Sequence, residues 1–160
     1  MVRGSVTVHV DAAPEAVWPL VSDVTSTGRF SPETFEAEWV DGATGPEVGA
    51  RFRGHVRRTG LLSRLGLTYW TSCTVVACEP GREFTFVVGT PQRWVNRWSY
   101  RFETADGGTD VTESFELRDS APLRAYWKLA GAGRARTNDD GMRRTLERVK
   151  AAAEGSPASP

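Results

Sequence analysis

The stretch APLRAYWKLAGAGRARTNDDGMRRTLERVKAAA, residues 121–153, decides the fold. Two apolar patches with helical spacing lie in it: Leu123, Trp127 and Ala130, then Met142, Leu146, Val149 and Ala153. Running the first beat forward lands on Gly141 and Thr145, so the second patch is displaced by about one residue, a stutter. Weak helix formers separate them: Gly131-Ala132-Gly133, then Asn138-Asp139-Asp140-Gly141. The pattern predicts one long helix, kinked or interrupted near Gly131–Gly133, or two helices end to end. Its apolar stripe needs a cover, and a strongly bent antiparallel sheet can supply one. The small residues at mid-helix leave room beneath them, which predicts a cavity and therefore a ligand.

Upstream, everything but one early helix reads as short strands. Ala105-Asp106-Gly107-Gly108 is a strong hairpin signal. A loop there pairs residues whose numbers sum to 213: Phe102 with Val111, Tyr100 with Glu113, Trp98 with Phe115, Asn96 with Leu117. Apolar falls mostly opposite apolar, which supports the register independently of the turn. Trp94, Asn96, Trp98, Tyr100 and Phe102 share one face of the strand, and Phe84, Phe86 and Val88 point inward from the one before. Tyr69–Cys78 is a strand of mixed parity, so its facing stays open.

Ala50–Arg58 puts Ala50, Phe52, Gly54 and Val56 on one side, with Arg51, Arg53, His55 and Arg57 on a solvated face. Thr34–Val40 reads as inward at Phe35, Ala37 and Trp39. Ser5–Val10 alternates, with Val6, Val8 and Val10 inward and His9 on the wet side. Between these lies the early helix, Pro14–Asp23, with Pro14 well placed at its first position and Val17, Trp18 and Val21 buried. Pro19 deletes a backbone bond to Glu15 and should bend or shorten it. Thr25–Phe30 adds a short turn.

At 160 residues the chain reads as one domain over residues 1–153, able to bury roughly 70% of its unfolded surface. Residues 154–160 read as a disordered tail. Net charge is zero, which argues against a nucleic-acid or anionic-membrane partner. Residues 11–47 carry eight acids against Arg29, and residues 118–150 carry nine Lys/Arg against four acids. Neighbouring acidic and basic surfaces are the favoured reading over a phosphate-binding helix. Cys73 and Cys78, five apart in one strand, are read as lying on opposite faces about 16 Å apart, too far for a disulfide. With no signal-peptide core and no spanning apolar run, the expectation is a cytoplasmic protein without stable membrane insertion.

The order of helix, antiparallel strands and long C-terminal helix resembles the START-like helix-grip fold. Ala13-Pro-Glu-Ala-Val-Trp-Pro-Leu-Val-Ser-Asp23 resembles the opening helix of the SRPBCC superfamily, in particular its polyketide cyclase/dehydrase and lipid-transport branch. Ser31-Pro-Glu33, Val48-Gly-Ala-Arg-Phe52, Glu79-Pro-Gly-Arg82, Gly108-Thr-Asp-Val-Thr-Glu113 and Thr145-Leu-Glu-Arg148 resemble it at later positions. The resemblance implies an α+β fold: a seven-stranded bent antiparallel sheet around the C-terminal helix, with one or two short helices after the first strand. It also implies an apolar cavity between sheet and helix, but transfers no catalytic set. Pro19 and the leucine-rich Gly60–Leu67 depart from the pattern.

Neither histidine lies on an inward face, so a histidine-assisted nucleophile and a histidine metal site are not expected. No phosphate-cradling glycine loop is present, and no cofactor is expected. What remains is an aromatic wall with a few inward polar groups. Phe52, Phe84, Phe86, Trp94, Trp98, Phe115, Asn138 and Met142 are the candidate ligand contacts. Glu113, Tyr100 and Asn96 are the candidate chemistry. A carboxyl on an apolar face has its charged form disfavoured by desolvation, and Tyr100 is the neighbour that could donate to it. Set against this, Glu113 pairs with an arginine of the basic helix or reaches the rim, and Asn96 makes an ordinary backbone hydrogen bond.

The leading expectation is a binder of a hydrophobic small molecule, of polyketide, aromatic or lipid type. The alternative is a cofactor-free cyclase or dehydratase using Glu113 as acid/base, with Tyr100 or Asn96 orienting a carbonyl. A third is a non-enzymatic partner of another protein. Leu61, Leu62, Leu65 and Leu67 sit where a connection normally runs polar. A lid over the cavity mouth, a homodimer contact and a membrane-touching loop are the three readings of them.

Overall fold

The computed structural model describes residues 2–57 and 66–155; within the C-terminal helix, side chains at 122–124 and 126–135 are not described. The described residues form seven strands: β1 (Arg3–Val10), β2 (Thr34–Val40), β3 (Arg51–Arg57), β4 (Thr68–Glu79), β5 (Glu83–Gly89), β6 (Trp94–Ala105) and β7 (Gly108–Leu117). All neighbours run antiparallel in one sheet of order β1-β7-β6-β5-β4-β3-β2. Three helices cover its inner face: α1 (Pro14–Ser22), α2 (Thr27–Phe30) and α3 (Ala121–Ala153), with a 3₁₀ turn at Val24–Ser26. This is the helix-grip arrangement.

Helix α3 runs unbroken from Ala121 to Ala153 and packs on β1, β7, α1 and α2. Its second apolar patch is buried as the spacing predicts, with Met142, Leu146 and Val149 at most 1% exposed. They join Val6, Val10, Val17, Phe30, Phe102, Val111 and Phe115 in one core cluster. A second cluster, around Phe52, Cys73, Val75 and Phe84, holds the far side of the sheet together. Fully burying one such side chain is worth roughly 1.5–3 kcal/mol, so the helix is held by packing rather than by propensity.

In α1, Pro14 occupies the first turn and Pro19 the interior, and the helix ends at Ser22. Asp23 then turns the chain, accepting from the backbone N–H and hydroxyl of Thr25. Gly28 in α2 lets the backbone of β2 approach: a Cβ there would lie 2.1 Å from the Phe35 carbonyl oxygen.

The β6–β7 ladder has the expected register, from Ala105 opposite Gly108 to Asn96 opposite Leu117. Its turn residues, Asp106 and Gly107, both have positive φ (45° and 76°), the conformation a tight two-residue hairpin requires. Three facings differ from expectation, and each traces to a β-bulge, where an extra residue inverts the alternation beyond it. In β2 the register shifts between Thr34 and Glu36. Phe35 therefore lies on the outer face, its ring 4.3 Å from that of His55. In β4 the shift falls between Val75 and Ala77, so Cys73 and Cys78 share the inner face instead of opposite ones. Both are free thiols. In β6 Val95 and Asn96 together stand opposite Val88, and Trp94 turns outward beneath Arg97 and Arg118.

Both histidines lie on the outer face as read. His9 bonds Asp110 at 2.7 Å, and His55 bonds Glu36 at 2.6 Å and Thr68 at 3.0 Å. Asp41, Glu38 and Glu36 pair with Arg51, Arg53 and His55 of β3 rather than with the basic helix. Leu61, Leu62 and Leu65 lie outside the described residues; Leu67 is described and 55% exposed. Of the expected tail, residues 156–160 lie outside the description. Glu154 is tied to the body, accepting from Lys150 Nζ at 2.7 Å and from the Asp11 backbone N–H at 2.8 Å.

Candidate functional site

A cavity of about 330 Å³ lies between the inner face of the sheet and α3. Its floor comes from alternate residues of β3, β4, β5 and β6, its roof from α2 and from α3 between Thr137 and Thr145. Phe52, Phe84, Phe86 and Trp98 line it, as do Asn138 and Met142. Two of the expected contacts do not. Trp94 is turned outward by the bulge in β6. Phe115 is buried in the core behind Trp98, with ring centroids 5.0 Å apart.

Tyr69, Thr71 and Cys73 of β4 also line the cavity, contributions that the mixed parity of that strand concealed. Val95 joins them because the bulge puts it beside Asn96 on the same side. Tyr69 (39% exposed) and Val95 (47%) mark the rim. No alternation rule could have found Val95; the threonine-cysteine beat Thr71-Cys73 was the one available signal for β4.

Glu113, Tyr100 and Asn96 all line the cavity. The hairpin register sets Glu113 between Tyr100 on one side and Val6 of β1 on the other, so it is only 3% exposed. Tyr100 donates its hydroxyl to Glu113 Oε1 at 2.8 Å. Among the described residues Glu113 Oε2 is buried without a hydrogen-bond partner, and so is Asn96 Oδ1. Among the described residues no lysine or arginine reaches Glu113.

Burial pushes the Glu113 carboxyl up from 4.5 to about 8, and the Tyr100 hydrogen bond pulls against that rise. Burial, then the neighbouring carboxylate charge, hold the Tyr100 hydroxyl well above its ordinary range. At neutral pH the pair is therefore mostly neutral: a phenol donating to one oxygen of a carboxylic acid whose other oxygen is buried in the cavity wall. A protonated carboxyl in an apolar wall is a hydrogen-bond donor, and a proton source for a bound carbonyl.

Among the described residues no cluster of three or more His, Cys, Asp or Glu could hold a metal ion, and no helix is long and apolar enough to cross a membrane. Cys73 is a poor nucleophile, since burial pushes its thiol up to about 12.

Among curated proteins none matches this chain. Solved structures do. DR_A0006 from Deinococcus radiodurans has a TM-score of 0.66 at 18% identity, covering 96% of this chain and 99% of its own. Protein NE0264 from Nitrosomonas europaea reaches 0.67 at 8% identity, over 96% and 94% of the two chains. These two show a shared fold. The polyketide-cyclase-like protein Cgl2372 from Corynebacterium glutamicum is 29% identical, with a TM-score of 0.53 over 96% of this chain and 83% of that one. The family model described as polyketide cyclase / dehydrase and lipid transport matches residues 1–154. With a helix-grip fold and a cavity under its long helix, this chain belongs to the polyketide cyclase/dehydrase and lipid transport family.

Proposed function

We propose that the protein binds a hydrophobic small molecule, of polyketide, aromatic or lipid type, between the sheet and α3. The observation that carries this reading is the cavity, of about 330 Å³, walled by Phe52, Phe84, Phe86 and Trp98. That volume is at the lower end of the range for small-molecule sites, and a mostly apolar wall with a few convergent polar groups is their usual composition. The free thiols Cys73 and Cys78 fit a reducing, cytoplasmic setting.

The test is thermal unfolding against a broad panel of apolar compounds. A ligand that binds the folded state raises the melting temperature with its concentration. Thr71→Phe, which fills the cavity, should abolish the response. A panel without effect, or a Thr71→Phe protein that responds like wild type, would sink the reading.

A second reading rests on the Tyr100–Glu113 contact of 2.8 Å and the elevated carboxyl. A group titrating near 8 can give a proton to a carbonyl oxygen and, once ionised, remove one from the adjacent carbon. These are the steps of enolisation, aldol cyclisation and dehydration, with Tyr100 or Asn96 orienting the carbonyl. Glu113→Gln should abolish turnover of a poly-β-ketone while ligand binding survives. Unchanged turnover rules the role out.

A further inference from the structure

The inner face of β6 reads Asn96, Trp98, Tyr100: polar, apolar, polar. Tyr100 presents Glu113, so the cavity wall has two polar stations with an indole between them. Phe86 stands beside Trp98 on β5, extending the apolar middle. The stations are four residues apart along one strand, about 13 Å at the backbone. Each holds a buried atom without a hydrogen-bond partner among the described residues: Asn96 Oδ1 and Glu113 Oε2. Neither serves the other. Buried polar atoms are normally paired, and two orphans on side chains that line one cavity point to groups supplied by its occupant.

Their chemistry differs. Asn96 Oδ1 can only accept a hydrogen bond. Glu113 has one oxygen taken by the Tyr100 hydroxyl, and in its protonated form the other donates. Among the described residues no lysine or arginine lines the cavity, while Glu33 and Glu113 both do. Among the described lining residues an anionic ligand would therefore meet no counter-charge.

We infer that the cavity selects an uncharged, elongated ligand with a hydroxyl-type donor at one end and a carbonyl-type acceptor at the other. The donor meets Asn96 Oδ1, the carbonyl meets the Glu113 carboxyl proton, and the flat apolar body lies on Trp98 and Phe86. This rests on the reading of the cavity as a ligand site and adds the ligand's polarity and its orientation.

The test uses matched probes on the full chain at neutral pH: 4′-hydroxyflavone, flavone without the hydroxyl, 4′-hydroxyflavan without the carbonyl, and the cationic 4′-aminomethylflavan. Nile red serves as an apolar reporter. Affinities come from titration calorimetry or displacement of the reporter. 4′-Hydroxyflavone should bind about tenfold more tightly than either singly stripped probe, roughly what one buried hydrogen bond is worth. Asn96→Leu should erase its advantage over flavone but not over 4′-hydroxyflavan. Glu113→Leu should do the reverse, and Glu113→Gln, which keeps a donor, should retain the preference for the carbonyl. Equal affinities for the first three probes would overturn the inference and leave the ligand site standing. Tightest binding of 4′-aminomethylflavan would overturn it too, since Glu113 would then be a carboxylate counter-ion. Entry of Nile red with exclusion of every flavonoid has the same force. If nothing binds, Nile red included, both the inference and the ligand site fall. The comparisons among probes on the wild-type protein hold even if a variant does not fold.

Discussion

Replacing Glu113 by Gln keeps the side chain's shape and removes its titration, so it isolates what burying this acid costs. The carboxyl sits near 8 in the folded protein against an ordinary 4.5. A raised acid binds its proton more tightly when folded. Its contribution is therefore fully present below about pH 4.5 and is lost as pH rises towards 8, where the folded protein must also ionise it. At ~1.4 kcal/mol per pH unit the whole span amounts to roughly 4–5 kcal/mol, and the part between about pH 5 and pH 8.5 to roughly 4 kcal/mol. That is a large share of the stability of an ordinary domain. Urea unfolding of both proteins at about pH 5, 7 and 8.5 measures it. Titrations elsewhere, such as that of His9, cancel in the difference. Relative to wild type, the Glu113→Gln protein should gain roughly 4 kcal/mol across this range. Parallel profiles, within about 1 kcal/mol of each other, would show that Glu113 is not a buried acid and would refute the argument from desolvation.

Three other perturbations follow from the geometry. Gly107→Ala places a Cβ at φ 76° with open space around it, so its cost is conformational alone, roughly 1–2 kcal/mol by thermal or urea unfolding. The hydrogen bond that His9 Nδ1 donates to Asp110, more than any other contact, raises the pKa of His9. Asp110→Asn should therefore lower the His9 midpoint in an NMR titration, and an unmoved midpoint would contradict the assignment. The favourable contribution of His9 is present at low pH and fades as pH rises through its raised midpoint. Cys73, 3% exposed and pushed up to about 12, should resist iodoacetamide in the folded protein, while the half-buried Cys78 reacts first. Equal labelling by mass spectrometry would count against the packing of β4.

Much of this was legible because independent signals agreed. The Asp106-Gly107 turn and the pairing of apolar with apolar gave one register, and that register alone put Tyr100 beside Glu113. Met142, Leu146 and Val149 kept a helical beat that packing then honoured. Phe35, Cys78 and Trp94 were misread for a common reason. A strand's period of two carries facing only as far as the next bulge, and a bulge leaves no mark in hydrophobicity. Phe115 differs in another way: it is buried in the core against the Trp98 ring and does not line the cavity. Whether an inward residue meets core or cavity depends on its neighbours' volumes, which alternation does not encode.

The sheet order also bears on how the molecule is made. Strand β1 has a single neighbour, β7, and joins it over residues 109–116. During synthesis β1 leaves the ribosome long before its partner β7 and must wait for it. Closing so long a loop early is entropically unfavourable, and folding dominated by distant contacts is slow. Meanwhile Val6, Val8 and Val10 present an unsatisfied strand edge, the kind of segment that aggregates or recruits chaperones. Once β7 arrives, α3 follows and fastens β1 in place, with Lys150 Nζ on the His9 carbonyl at 2.8 Å. The sheet is sewn shut by β7 and α3, so a nascent chain stopped before β7 has no stable place for β1.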